Sequence, residues 1–354
     1  MSTPAKTLEI RSSPHVLSGH GVDTIQFNVA LALLPTIALA VWVFGLATLA
    51  VLATALVTCW ATEYLLWRYS AAPLEGGHSP LARSPLADLS VTVTALLFAL
   101  TLPPGLPLWM VAVGALVAVV LGKALFGGLG QNPFNPALVG RAFLQAAFPA
   151  AMTTWYPAQV ADRFTQLPSS TLAWPLSRPA VDGLSGATPL ARFKLDGQGT
   201  PEVDLALGWV SGSLGETSAL AIALGGCYLV ARNFMGWRIP LATLGTVAVV
   251  SAGLHHLDPG RYASPTFMLC SGGLMLGAVF MATDPVASPM TPKGHIAYGV
   301  LIAMLVVVIR TWGGMPEGVM VAILLANAVS PHLDAWTRPT VYGTRQSAAP
   351  GGGS

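Results

Sequence analysis

Four small residues in a row, Ser185-Gly186-Ala187-Thr188, end on a hydroxyl, and a carboxylate, Asp182, stands three residues before the serine. Gly183 and Gly186 permit tight turns, and Pro189 stops helix propagation at the residue after Thr188. A turn of this kind exposes a threonine hydroxyl near a carboxylate, where it can receive a covalent group. Thr188 is the residue on which chemistry is expected. A plain serine/threonine turn is the bland alternative. At about 7% usage per residue, a given four-residue string arises by chance in roughly one chain in a hundred of this size.

The elements that must position this turn are set by an apolar composition. The 354 residues are 53% hydrophobic and only 9% charged, with a mean hydropathy of +0.64. Soluble domains carry about 25% charged residues, so this chain suits lipid, where charge is costly. A net charge of +2 and the lack of a basic run with interleaved aromatics argue against nucleic acid as a partner. Cys59, Cys227 and Cys270 each fall in an apolar run, and none forms a CxxC. They read as small buried hydrophobes, not as a disulfide framework or an iron–sulfur site.

A membrane helix needs about 20 mostly apolar residues. Ten stretches fit: 24–44, 47–67, 88–103, 107–126, 136–151, 216–234, 239–256, 265–283, 295–311 and 317–335. The expected fold is an all-α polytopic membrane protein. With a cytoplasmic N-terminus, the inner segments hold eleven Lys and Arg residues, against Arg261 and Arg310 in short outer ones. That bias places both termini in the cytoplasm and the long 152–215 segment on the exported side. The N-terminus lacks a short apolar region with a cleavage site, so the first span is expected to act as an uncleaved signal. The closing Gly351-Gly352-Gly353-Ser354 reads as a linker scar. The expected organisation is a cytoplasmic segment 1–23, a first membrane half 24–151, an exported loop or cap 152–215, a second half 216–335 and a tail 336–354.

The halves share a pattern. Thr101, Pro103 and Pro107 recur as Thr283, Pro285 and Pro289, each 182 residues on, and Gly127-Gly128 recurs as Gly313-Gly314. Five spans per half is odd, so the second half must enter from the opposite side, as in transporters built from inverted repeats. Asn132-Pro133-Phe134-Asn135-Pro136 and Asp284-Pro285 should interrupt helix at membrane depth, and Arg141 and Asn327 add buried polarity. Capping or pairing is the first reading for each of these. Glu63, Arg68, Asp88 and Lys123 read as snorkelling or capping groups at helix ends. His255 and His256 lack a third ligand at suitable spacing, so no metal site is expected.

From Asp182 to Thr188 the motif DGLSGAT resembles the flavinylation motif of the RnfD/NqrB family. That family joins a membrane component of Rnf electron-transport complexes to the B subunit of the sodium-pumping NADH:quinone oxidoreductase. The likeness extends to Ser13-Pro14-His15, to GGLGQNPFNPALVGR (127–141), to MATDPVASPMTPKG (281–294) and to GGMPEGVMVAILLANAVSPHLD (313–334). The resemblance implies that a flavin transferase moves FMN from FAD onto Thr188 as a phosphoester on the exported side. Asp182, Ser185, Gly186 and Ala187 then serve recognition and shaping. It implies an inner-membrane component of an ion-translocating ferredoxin:NAD oxidoreductase, coupled to Na+ or H+ movement. The implied partners are the other Rnf components: RnfA and RnfE in the membrane, the flavin-bearing RnfG, and the cytoplasmic iron–sulfur and NADH-binding RnfB and RnfC. It implies a fold like that of urea transporters, and it raises a noncovalent riboflavin with no residues assigned. Two other readings compete: a stand-alone small-solute channel of the same fold, and a scaffold without flavin.

Overall fold

The structure is a computed structural model that describes residues 21–70, 88–175, 186–216 and 218–339. Among the described residues every regular element is helical. α1 Val22–Phe44, α2 Leu46–Ser70, α3 Ser90–Leu100, α4 Leu108–Val120, α5 Pro136–Ala147 and the single turn α6 Pro149–Met152 come first. α7 Pro189–Asp196 and α8 Glu202–Leu207 stand in the polar segment. α9 Ala219–Ala231, α10 Arg238–Leu257, α11 Pro265–Cys270, α12 Leu274–Leu276, α13 Pro292–Trp312 and α14 Val319–Trp336 complete the chain, and a π-helical turn, Gly277–Met281, extends α12.

Among the described residues six helical stretches are long and apolar enough to cross a membrane: α1, α2, Leu108–Phe126 (which prolongs α4), α10, α13 and α14. α3 and α9 are apolar but shorter. The chain is therefore a multi-pass α-helical membrane protein. Large apolar side chains such as Leu34, Trp42, Val57, Leu241 and Val249 remain exposed on these helices, as a lipid-facing surface requires. Pro35 lies inside α1, as expected.

α1 packs on α9, α2 on α3 and α4, and α4 on α5; α10 packs on α11 and α13, and α13 on α14. Small residues allow the closest approaches. A Cβ on Gly225 of α9 would stand 2.3 Å from the Ala32 carbonyl oxygen of α1, which is the kind of backbone contact that stabilises helix pairs in lipid.

Two expected spans are broken. The 136–151 stretch ends as α5, and Phe148 separates it from α6. The 265–283 stretch divides at Ser271-Gly272-Gly273 into α11 and α12. Gly272 has φ +64°, and a Cβ there would lie 2.5 Å from Glu317 Oε1. A side chain is thus excluded both by backbone conformation and by the glutamate. Asn135 caps α5, accepting from the Ala137 and Leu138 amides at 3.0 and 3.4 Å and donating to the Met281 carbonyl at 3.3 Å. The repeated threonines act alike: Thr101 Oγ1 donates to the Phe98 carbonyl and Thr283 Oγ1 to the Val279 carbonyl. Each ties its hydroxyl back to a carbonyl of the preceding helical turn.

Glu63 and Lys123 do not snorkel. Lys123 Nζ lies 2.7 Å from Glu63 Oε1 and donates to Ser90 Oγ at 3.0 Å, with side-chain exposures of 4% and 13% for the ion pair. Each is the other's counter-ion across 60 residues of chain, which removes the need to reach water. Asp88 does cap, accepting from the Ser90 amide at 2.9 Å. The cysteines also differ from expectation. Cys59 is buried, whereas Cys227 is exposed and Cys270 half-buried, because an apolar run in lipid points outward as readily as inward.

The polar segment forms a cap over one end of the bundle. Arg163 Nε donates to the Trp42 carbonyl at 2.9 Å, and its own carbonyl accepts from the Leu46 amide at 2.9 Å. The Leu108 amide donates to the Thr171 carbonyl. Lys194 Nζ donates to the carbonyls of Ile309, Gly313 and Met315. These anchors lie at the C-terminal ends of α1 and α13 and the start of α4. Partial burial lowers the Lys194 pKa.

Candidate functional site

Thr188 is the N-cap of α7. Its backbone is extended, Pro189 takes the first helical position, and its Oγ1 accepts from the Ala191 amide at 3.2 Å. The sequence dictates this geometry: Pro189 lacks an N–H and is preset for a helix start, and threonine supplies the capping oxygen. The same arrangement points the open N–H groups and the positive end of α7 at the hydroxyl. An anion is stabilised there.

The hydroxyl is not displayed on an open turn. Thr188 is only 3% exposed, because α7 packs down on the bundle and buries Pro189 and Leu190 with it. It faces a cavity of about 400 Å³. Gly186 and Ala187 line the same cavity, and the Gly186 amide donates to the Trp155 carbonyl at 2.9 Å. Asp182 and Ser185 lie outside the described residues, so of the five predicted site residues Gly186, Ala187 and Thr188 are seen together.

The floor of the cavity comes from both halves of the chain. α5 contributes Leu138, Arg141 and Gln145; the α11–α12 break contributes Gly273; and the approach to α14 contributes Met315 and Glu317. Arg141 Nη2 donates to Glu317 Oε2 at 2.9 Å. Glu317 Oε1 accepts from the Gly273 amide at 2.8 Å. Behind this pair sits Glu216, on the 3-10 turn Leu214–Glu216, with Oε2 accepting from the Ser213 amide at 3.3 Å. Arg310, read from the sequence as an outer-loop residue, is 5% exposed in the last turn of α13. It donates to the Met268 and Ser271 carbonyls at 2.7 and 2.9 Å, capping the oxygens that the end of α11 leaves open.

Glu216, Glu317, Arg310 and Trp155 are residues that sequence reasoning did not select. One signal was present: an acidic residue at the entry of an apolar stretch, as at Glu216 and Glu317, is costly in lipid and so marks a partner or a site.

A second cavity, of about 410 Å³, opens at the other end of α3 and is lined by Ser90, Lys123, Asn132, Asn135, Asp284 and His295 among others. The predicted helix breaks meet here, with Asn135 and Asp284 on facing elements. Asn327 instead contacts the Tyr298 hydroxyl, joining α14 to α13. His255 Nδ1 lies 2.7 Å from the Tyr262 carbonyl oxygen.

A profile of the NQR2, RnfD, RnfE family matches residues 9–343. The D component of the proton-translocating ferredoxin:NAD(+) oxidoreductase complex of Clostridium ljungdahlii is 38% identical over 347 residues, covering 95% of this chain and 96% of the relative. The D component of the ion-translocating oxidoreductase complex of Halorhodospira halophila is 39% identical, with 97% of each chain covered. The protein of the same description from Cronobacter sakazakii is 38% identical, covering 95% of this chain and 99% of its own length.

Proposed function

The chain belongs to the NQR2, RnfD, RnfE family, and from that premise we propose that it is the D-type membrane component of an ion-translocating ferredoxin:NAD oxidoreductase. The reading gives it a covalent FMN on Thr188. The observation that supports this most is the setting of the threonine: a hydroxyl at a helix N-terminus, on the wall of a cavity of about 400 Å³. The residues present fit the group. The α7 N-terminus offsets the charge of a phosphodiester, and ligand sites commonly enclose about 300–1,000 Å³. When bound, the flavin supplies one-electron transfer at a fixed place. Thr188 holds it, Gly186 and Ala187 leave room at the ester, and the apolar floor formed by Leu138, Leu276 and Met281 keeps water away. Asp182 and Ser185 complete the motif that the transferase reads.

The rest of the organisation follows the same proposal. Ten membrane segments form two inverted five-helix halves of urea-transporter-like fold, joined by the 152–215 cap. The helix pairings support this: α2 with α3 and α4, and α4 with α5, match α10 with α11 and α13, and α13 with α14. The opening helices of the halves, α1 and α9, pack on each other. The termini are cytoplasmic, the cap is on the exported face of the inner membrane, and RnfA, RnfB, RnfC, RnfE and RnfG are the partners. The transfer is coupled to Na+ or H+ movement. The second cavity has the size for an unattached flavin such as riboflavin.

A denaturing gel under ultraviolet light tests the assignment. Wild-type chain from cells containing the transferase shows in-gel flavin fluorescence. Thr188→Asn keeps a good N-cap but removes the hydroxyl, so it folds without fluorescing. A non-fluorescent wild-type band, or a fluorescent Thr188→Asn band, refutes attachment at this residue.

A further inference from the structure

Arg141 lines the same cavity as Thr188, and its charge is only partly used there. Its side chain is 11% exposed, and among the described residues its one hydrogen bond runs from Nη2 to Glu317 Oε2. A guanidinium carries five N–H donors in a rigid plane, so the others are available to a molecule in the cavity. Glu317 is fixed in turn, since its second oxygen takes the Gly273 amide. The arginine is therefore held by a carboxylate that is itself tied to backbone. The surrounding wall is largely apolar, with Leu138, Leu276, Met281, Met315 and Met320, and in such a setting a fixed charge acts strongly.

Resting on the attachment of FMN at Thr188, we propose that Arg141 holds the pyrimidine edge of the flavin ring and stabilises the negative charge that this edge gains on reduction. Glu317 is the positioning residue for Arg141, and its own charge opposes that stabilisation. The electron comes from a reduced flavin or iron–sulfur group of a partner protein in the complex. Arg141 stays protonated throughout, so no proton moves to or from it. Among the described residues Glu216 and Arg310 also act on Glu317, while Lys194 on the cap donates to the Ile309, Gly313 and Met315 carbonyls. None of these three lines this cavity.

The test is a redox titration of the flavin in the purified whole complex, with the Thr188→Val complex as the spectral baseline to subtract. Arg141→Gln is expected to shift the balance between reduced and oxidised flavin about tenfold towards oxidised, from the worth of a hydrogen bond to a charged group. That is 59 mV to lower potential for one electron. Arg141→Lys retains most of the wild-type potential. Glu317→Gln moves it the opposite way, to higher potential, because a negative charge is lost while Arg141 remains. Opposite signs from two partners of one ion pair are not what a merely structural role produces.

Flavin attached at wild-type yield in Arg141→Gln, with a balance between reduced and oxidised flavin within a factor of two of wild type, overturns the proposal. So does a lower yield with an unmoved potential, which would place Arg141 on the phosphodiester instead. Should Arg141→Gln fail to assemble, the sign of the Glu317→Gln shift decides. Loss of in-gel fluorescence from the wild-type chain would refute the attachment itself, a different outcome from an attached flavin whose potential ignores Arg141.

Discussion

Replacing Glu63 tests how the first half of the bundle is held together. Lys123 Nζ is 2.7 Å from Glu63 Oε1, and its other hydrogen bond is to Ser90 Oγ at 3.0 Å. At that separation the Coulomb attraction is roughly 6 kcal/mol at an effective dielectric of about 20. Desolvating the two ions costs several kcal/mol each, so the pair adds little net stability. Removing one partner is different, because the ammonium stays buried without its counter-charge. Such losses run to about 3–5 kcal/mol. Ser90 Oγ remains as a partner for the ammonium, so Glu63→Ala should sit at the low end, at about 3 kcal/mol. In a chain of this size that lowers the apparent thermal midpoint by roughly 6 °C, at about 2 °C per kcal/mol. The assay is thermal unfolding of the detergent-solubilised protein. The double variant Glu63→Gln with Lys123→Met removes both charges and should recover most of the loss. A Glu63→Ala shift of about 1 °C or less, or a double variant no better than the single, would show that Lys123 does not depend on Glu63 as its buried counter-charge.

Further tests address the break between α11 and α12 and the sidedness. Gly272→Ala forces a side chain into a left-handed φ of +64° and to 2.5 Å from Glu317 Oε1. It should cost at least about 1–2 kcal/mol from the backbone alone and read out as a lowered thermal midpoint. A neutral result would mean that the break is not built around this glycine. For sidedness, cysteines placed at the exposed positions Gly260 and Gly236, in a background lacking Cys227, should react differently with an impermeant maleimide in intact cells. Gly260 should label and Gly236 should not; the reverse pattern would invert the topology.

Much of this architecture is local in origin and so was legible in the sequence. Apolar length places helix under each of the ten stretches, and Asn135-Pro136 announces the start of α5. The breaks were only half legible. Asp284-Pro285 announces that helix does not resume directly after the π-turn, which ends at Met281, but the gap between α11 and α12 arises because Gly272 must leave room for Glu317, 45 residues away. The ion pairs were not legible at all: Lys123 meets Glu63, and Arg141 meets Glu317 across 176 residues, and no local pattern encodes such partners. Arg310 looked like a loop charge because its acceptors, the Met268 and Ser271 carbonyls, exist only once α11 stops. At Thr188 the residue type and its turn were plain, but its burial was not. The proline that ends the turn also starts α7, and α7 packs the hydroxyl inward towards a cavity.

The most direct measurement is the mass of the Thr188 peptide. Proteolysis of the membrane-extracted chain from transferase-containing cells, followed by fragmentation mass spectrometry, reads both the modification and its position. The expected result is an added flavin mononucleotidyl group located on Thr188 and absent from the Thr188→Asn chain. An unmodified Thr188 peptide, or a flavin mapped to another residue, would contradict it.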